Sequence, residues 1–322
     1  MNFNTECGVG AVLKLVVRKA DTDEIVRETP EFHNLVLTTG LARMAVGTWI
    51  DRCCVGTGNS NPVASQVALD SFLASTTTIA TGVADTGGIQ VTTAPFYWFG
   101  RRTWRFAVGV ATGNISEIGL GWGNSNLWNR ALVKDIEGNP TTITVLADEY
   151  LDVISEVRAY PQESTGSFNL VDKTENIISA HTVTLRPRFN ATGSTGAGWA
   201  AYQANIGRSD GLQVIGISNT PIPSNSTNLP SGQTIVSSGI VLTPLQNGVN
   251  FKRTITSSEV NIVTHKSFSI ALRGLMCGDN ASSVLMANSC GYNWEVNPPI
   301  PKDAETILTY SFTLTWGNYA PE

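Results

Sequence analysis

The stretch ILTYSFTLTW, residues 307–316, alternates apolar and polar side chains over almost its whole length. Its apolar residues at the even positions are Leu308, Tyr310, Phe312, Leu314 and Trp316. Threonines and one serine occupy the odd positions between them. A period of two places these sets on opposite faces of a β-strand, whereas a helix would mix them. The stretch therefore predicts a strand with one buried face.

The same alternation recurs in HTVTLRPRF (181–189), HKSFSIALRGL (265–275) and EYLDVISEVRA (149–159). The side chains predicted to point inward in these segments are Val183, Leu185, Phe189, Phe268, Ile270, Leu272, Leu151, Val153, Val157 and Ala159. Pro187 indicates an edge position, because proline cannot donate a ladder hydrogen bond. Near the N-terminus, AVLKLVV and EIVRETPEF flank the charged stretch KADTDE, which predicts a hairpin.

Two segments of the N-terminal half predict short helices. LTTGLARMAV (37–46) offers Thr38 or Thr39 as N-cap, and NPVASQVALDSFLA (61–74) offers Asn61, followed by a proline at the first helical position. The predicted fold is all-β, an antiparallel β-sandwich of jelly-roll or immunoglobulin-like type with one or two such helices. A polar transition places a boundary near residue 165, between an N-terminal β domain (1–165) and a loop-rich region (166–322). One continuous sandwich with long loops is the alternative.

Composition restricts the class of function. Charged residues make up 15% of the chain and the net charge is −5, which argues against a nucleic-acid binder that relies on electrostatic attraction. The start MNFNTECGVG lacks the pattern of a signal peptide, and no apolar run reaches the roughly 20 residues that span a bilayer. We therefore expect a soluble protein made in a cytoplasm, with neither nucleic acid nor membrane as a partner.

The five cysteines do not form a recognisable disulfide or zinc pattern. Their number is odd, Cys53 and Cys54 are adjacent, and no pair has C-x-x-C spacing. Reduced, buried thiols are the expected state. Whether Cys277 and Cys290, which bracket a loop, pair after oxidation is left open by the sequence.

The stretch APFYWFGRRTWRFAVG, residues 94–109, combines aromatic residues with three arginines. Its even positions are Phe96, Trp98, Gly100, Arg102, Trp104, Phe106 and Val108. As a strand it would bury that mostly apolar face and point Arg101 and Arg105 outward. Arginine among aromatic residues is typical of protein–protein interfaces. Arg101 and Arg105 are therefore interface candidates.

No motif indicates catalysis. GAGWAA (196–201) fits the letters of a dinucleotide fingerprint but lacks a strand before it and a helix after it. The cluster Asp148, Glu149, Asp152 and Glu156 has the chemistry of a glycosidase pair or a calcium site, yet a solvated strand face explains it more simply. We predict no catalytic residue, no cofactor, no metal and no enzymatic activity.

Five motifs follow one another within residues 32–161. They are NLVLTTGLARMA, CCVGTGNSNPVASQVALDSFLAST, YWFGRRTWRFAVGVATGNISEIGLGW, LWNRALV and GNPTTITVLADEYLDVISEVRAYP. This ordered set resembles a family of tailed-bacteriophage virion proteins. The family occurs among tail-fibre, baseplate and related structural components. The resemblance implies a non-enzymatic virion protein of tail, baseplate or fibre-attachment type. Such a protein assembles in the host cytoplasm with other virion proteins and with copies of itself.

Three other functions are compatible with the sequence. One is a capsid decoration protein. Another is a host-surface glycan-binding module, in which loops 190–210 and 219–233 with Trp199 and Tyr202 would contact the sugar. The third is an enzyme that acts on cell-wall or capsule sugar, and the missing catalytic motifs argue against it.

Overall fold

The structure is a computed structural model that describes residues 2–189, 197–207, 214–261, 264–277 and 290–319. In these ranges the chain consists of β-strands, loops and one helix, α1 (Thr38–Met44). The strands are numbered in chain order and form several sheets that are antiparallel except for one parallel pair. The predicted all-β fold is confirmed.

The first sheet is the largest and contains nine strands. They are β1 (Asn2–Lys19), β2 (Ile25–Glu28), β3 (Phe32–His33), β7 (Thr86–Gln90), β8 (Tyr97–Phe106), β14 (Glu149–Pro161), β20 (Ile240–Leu245), β21 (Gly248–Ile255) and β24 (Leu308–Asn318). Their order is β20–β21–β24–β1–β14–β8–β7, and β2 and β3 also pair with β1. The pairing of β1 with β2 confirms the predicted N-terminal hairpin.

The second sheet contains seven strands. They are β15 (Ser164–Val171), β16 (Ile177–Arg188), β17 (Asn205–Ile206), β18 (Ile215–Ser218), β19 (Thr234–Val236), β22 (Thr264–Arg273) and β23 (Gly291–Pro301). Their order is β15–β16–β23–β22–β18–β19, with β17 on β22. β16 as a whole is an inner strand, but at Pro187 it pairs only with β23, so the predicted edge position holds for this residue and not for the strand. The proline is tolerated because β15 begins at Ser164, opposite Leu185, and does not extend to Pro187.

Two smaller sheets complete the fold. The third sheet is built from β4 (Leu35–Val36), β5 (Arg52–Gly56), β6 (Phe72–Thr76), β10 (Glu117–Gly123), β11 (Asn126–Leu127) and β12 (Asn129–Leu132). A two-stranded sheet pairs β9 (Gly113–Ile115) with β13 (Ile143–Val145). Both belong to the part of the chain before residue 165.

Aromatic side chains join the first and second sheets into a sandwich. Phe312 of β24 stacks on Trp294 of β23 with ring centroids 4.9 Å apart, and Tyr310 packs on Phe268 at 4.7 Å. Phe3 of β1 contacts Trp294 at 5.6 Å. Every even residue from Leu308 to Trp316 is buried, whereas the odd residues between them are half-buried. The strand and the buried face predicted from residues 307–316 are confirmed.

The two predicted helices have different outcomes. Residues 38–44 form α1, but the N-cap is Leu37 and makes no side-chain capping bond, so the threonine caps are wrong. Residues 61–71 form no helix and lead into β6 at Phe72. The second helix prediction is therefore wrong. Contacts with distant side chains, described below, hold this segment as a loop.

The first sheet contains strands from both sides of residue 165. β24 runs parallel to β1, from the pair Asn2 and Ser311 to the pair Val9 and Asn318. β20 and β21 extend the same sheet beyond β24. Segment 197–207 also contacts the first half, since the Trp49 amide donates to the Ala201 carbonyl at 2.9 Å. The strands of the two predicted segments are thus hydrogen-bonded in one sheet.

Candidate assembly surface and the framework beneath it

Strand β8 carries the predicted division between aromatic and arginine faces. Trp98, Trp104 and Phe106 are fully buried. The Trp98 Nε1 group donates to the Leu275 carbonyl at 2.6 Å, and the Trp104 Nε1 group donates to Ser155 Oγ at 3.0 Å. Phe96 and Val108 were assigned to the same face, but both lie outside β8 and are exposed. The alternation therefore ends with the strand.

Arg102 belongs to the buried face, and its guanidinium is held there by specific contacts. Its Nε and Nη2 atoms donate to the two carboxylate oxygens of Asp85 at 2.9 and 2.5 Å. The guanidinium lies 4.5 Å from the ring centroid of Trp199, which packs edge-on against Trp104 at 5.7 Å. Arg102 is thus a packing partner of the two tryptophans.

The glycan-contact candidates Trp199 and Tyr202 lie in segment 197–207. Trp199 is half-buried between Arg102 and Trp104, so part of its ring is already in contact with the protein. The Tyr202 carbonyl accepts a hydrogen bond from Trp49 Nε1 at 2.8 Å. Residues 190–196 and 208–210 of the predicted loop lie outside the described residues, as does Gly196 of the GAGWAA stretch.

Arg101 and Arg105 lie on the opposite face of β8 from the tryptophans. Each pairs with a carboxylate on the neighbouring strand β14. Arg105 donates to both oxygens of Asp152 at 2.7 Å, and Arg101 Nη2 lies 2.5 Å from Glu156 Oε2. Antiparallel register places each arginine directly opposite its carboxylate.

The two carboxylates also contact a second pair of arginines. Arg18 Nε lies 3.5 Å from Asp152, and Arg158 Nη2 lies 2.7 Å from Glu156. Asp152 and Glu156 are only 4% and 5% exposed, so the solvated acidic face expected from the sequence is wrong. The arginines lie above the carboxylates and cover them. Asp148 and Glu149, the rest of that acidic cluster, pair with Lys19 and Arg27.

Two tyrosines fix the orientation of this surface. The Arg105 guanidinium lies 4.4 Å from the ring centroid of Tyr150, and that of Arg158 lies 4.5 Å from Tyr97. Hydrogen bonding to Asp152 raises the pKa of Arg105, so its charge persists at any physiological pH. We call this surface the arginine face; its residues are Arg18, Arg101, Arg105, Arg158, Tyr97 and Tyr150. Arg101 has the most exposed of its arginine side chains, at 47%.

A second ionic cluster is buried against strands β10 and β12 of the third sheet, and the sequence did not predict it. Arg130 of β12 and Glu117 of β10 are both fully buried, and Arg130 Nε donates to Glu117 Oε2 at 2.9 Å. Arg130 also contacts Asp70 at 2.7 Å and the Gln66 side-chain oxygen at 3.0 Å. The sequence signal was an arginine within the largely apolar stretch LWNRALV, because a charged residue is rarely buried unless it is paired.

This cluster explains the V-G-T-G-N motif, residues 55–59. Glu117 accepts hydrogen bonds from the amides of Gly58 and Ser71 at 2.9 and 2.8 Å. A β-carbon on Gly56 would overlap the Ser71 carbonyl, and one on Gly58 would overlap Glu117. Glycine is needed at both positions because the backbone passes so close to the carboxylate. The motif therefore has a framework role: it folds residues 56–71 around a buried ion pair.

The described residues contain neither a cluster of metal ligands nor an exposed thiol. In the described ranges, no three His, Cys, Asp or Glu side chains converge as metal ligands would. All five cysteines are buried free thiols, and burial raises the pKa of Cys54 to about 12. Cys277 and Cys290 contact each other, and burial raises the pKa of the Cys277 thiol. Such thiols are poor nucleophiles at neutral pH.

Comparison of the chain with family models, curated proteins and solved structures finds no match. The resemblance of residues 32–161 to phage virion proteins therefore rests on sequence motifs alone. The described part of the chain contains no helix with the length and apolar character needed to cross a membrane.

Proposed function

We propose that this chain is a non-enzymatic structural protein of a tailed-phage virion, a tail, baseplate or fibre-attachment component. The arginine face is the observation that supports an assembly role most directly. Its guanidinium groups are held by buried carboxylates and tyrosine rings, so little side-chain freedom is lost when a partner binds. Arginine and tyrosine are also the residue types enriched at the centres of protein interfaces.

The resemblance of residues 32–161 supports the virion assignment, and the framework role of one of its motifs is compatible with it. Residues 55–59 surround the buried pair of Glu117 and Arg130. A motif that maintains a fold is expected in a family whose members share a scaffold and differ in their partners. The same support applies to a capsid decoration protein, so the position on the particle is part of the test.

The virion proposal is tested first by location. Mass spectrometry of purified particles should detect the chain at a fixed copy number, and a particle reconstruction should show the arginine face against another protein. Absence of the chain from purified particles would exclude the proposal.

The arginine face is tested by charge reversal. Arg101→Glu places a second carboxylate beside the buried Glu156, and we expect it to reduce incorporation into particles by about tenfold or more through like-charge repulsion. Lys252→Glu is the matched control, because Lys252 is exposed on β21 of the same sheet, far from the arginine face. Equal incorporation of both variants and the wild type would exclude this face as the contact.

The absence of enzymatic activity is tested directly. Purified protein should release no sugar or peptide from panels of capsule, peptidoglycan and polysaccharide. Turnover that disappears in an Asp152→Asn or Glu156→Gln variant that still folds would contradict the proposal.

A glycan-binding function is a second candidate, because one groove has suitable side chains. Two adjoining cavities of about 460 and 330 Å³ share Glu163, Pro187 and Ser226. Phe96, an exposed aromatic ring, lines one of them, and Asn225 of the predicted loop 219–233 lines the other. Sugar sites commonly combine an aromatic platform with amide and carboxylate groups.

Binding to surface polysaccharides of the host, measured by calorimetry, tests this second function. Phe96→Ala should weaken binding at least tenfold, since the aromatic platform is lost. Phe72→Ala removes another exposed phenylalanine, on β6, and should not change the affinity. Lack of binding by the wild type, or equal affinities for both variants, would rule the groove out.

A further inference from the structure

Strand β15, Ser164–Val171, forms one edge of the second sheet. Among the described strands it pairs only with β16, so no described strand lies along its other side. Its eight residues, STGSFNLV, include no charged residue and no proline. Thr165, Gly166, Ser167 and Asn169 are exposed. β15 thus presents a row of unpaired backbone groups to its surroundings.

Edge strands of soluble proteins usually carry features that prevent pairing with another chain. The remaining ends of the two large sheets are short or carry a proline. β20 contains Pro244, β19 has three residues, and β7 has five, two of them glycine. β15 is the longest of these edges and lacks charge and proline along its length. Because β15 lacks these protective features, we infer that its edge is used for pairing.

We propose that β15 pairs with β15 of a second copy of this chain, antiparallel across a two-fold axis at Phe168. Residues at equal distance on either side of Phe168 then face each other between copies. Ser167 faces Asn169, and Thr165 faces Val171. Side chains facing each other in this register project from the same side of the sheet, as antiparallel pairing requires.

Charge supports a second copy as the occupant. The axis at Phe168 brings Glu163 of one copy close to Lys173 of the other, and the symmetry repeats this pair. Both residues are exposed, and neither forms an ion pair or a side-chain hydrogen bond within the described chain. The uncharged strand between them places no like charges opposite each other. The edge is therefore self-complementary, which a two-fold interface needs.

Sedimentation equilibrium of the full chain tests the proposal. The wild type should dimerise reversibly. Glu163→Lys and Lys173→Glu should each weaken the dimer by about twofold to thirtyfold, because two cross-strand charge pairs become repulsive. The double variant E163K/K173E should restore wild-type association. Thr243→Lys, on the exposed edge β20, is the control and should leave dimerisation unchanged.

Ser167→Pro adds a test of the strand itself, because proline interrupts an added ladder. It should abolish dimerisation while circular dichroism shows a folded chain; if it unfolds, the charge variants decide alone. A wild type that stays monomeric at a protein concentration of about 0.1 mM would overturn the proposal, since pairing weaker than that is not a stable dimer. A dimer unaffected by both single charge variants would overturn it too. Particle incorporation is measured separately, so this inference can fail while the proposed function holds.

Discussion

Removal of the Arg130 side chain should lower the free energy of unfolding far more than removal of any surface arginine. It is fully buried and bonded to Glu117 and Asp70. Arg130→Met leaves the buried Glu117 carboxylate without its cation, so we expect a loss of about 3–5 kcal/mol in the free energy of unfolding. Urea denaturation measures it. Glu117 and Arg130 replaced together by apolar residues should recover part of the loss, and a single variant as stable as the wild type would contradict this account.

Arg105 and Arg101 should contribute differently to the free energy of unfolding. Arg105→Ala leaves the buried Asp152 with only a 3.5 Å contact to Arg18, so we expect a loss of about 1–3 kcal/mol. Arg101 is half-exposed and Glu156 keeps Arg158, so Arg101→Ala should cost about 1 kcal/mol or less. Urea denaturation of the two variants makes the comparison. The sequence predicted that both arginines point outward, but it could not show that the carboxylates beside them are buried.

His265 makes stability depend on pH. It is buried, with Nδ1 2.6 Å from the Tyr310 hydroxyl and Nε2 2.9 Å from the Val260 carbonyl. Burial lowers its pKa below the ordinary 6.5, so near that pH the unfolded chain binds a proton that the folded chain does not. This contribution is therefore present above pH 6.5 and is lost as pH falls from 6.5 through the lower pKa of the folded chain. Urea midpoints measured from pH 8 to 5.5 should decline less in His265→Gln; an equal decline would contradict the assignment.

Strand β24 shows what alternation predicts at the scale of an element. Phe312 stacks on Trp294 and is buried, so Phe312→Ala should cost about 3–5 kcal/mol of unfolding free energy. Thr313→Ala, on the other face, should cost far less. Thermal and urea unfolding of both variants provide the comparison, and equal small effects would contradict the strand faces.

Alternation predicted β24, β14 and the centre of β8 because each has one apolar face against a core. It did not predict the loop at 61–71, where cap and proline signals favoured a helix. Gln66 and Asp70 in that loop bond to Arg130, which lies 60 or more residues away in sequence. A local pattern does not contain such a contact. The arginine face was also predicted only in part. The period of two predicted Arg101 and Arg105. Arg18 and Arg158 join them only through the pairing of β1 and β14, which a local pattern does not contain.

At the scale of the whole molecule, the order of strands in the first sheet differs strongly from their order along the chain. β1 lies between β24 and β14, although about 300 residues separate β1 from β24 along the chain. Neither strand carries a mark of that pairing, because parallel partners need no turn between them. The boundary near residue 165 reflected a polar transition in composition, and the first sheet crosses it.

That crossing leads to a prediction about the separated halves. A fragment of residues 1–165 would lack β24, β21 and β20, leaving residues 2–9 of β1 unpaired on one edge and Phe3 without the rings of Trp294 and Phe268. We expect this fragment alone to aggregate or to unfold without a cooperative transition, since an exposed inner face and an open edge favour association. Co-expression with residues 166–322 should recover soluble, cooperatively unfolding material, because the two pieces together contain every strand of the first sheet. The full chain, expressed and purified in parallel, is the control for solubility. Cooperative melting of fragment 1–165 on its own would mean that β1, β14 and β8 hold their sheet without β24, and the boundary would then separate two folding units.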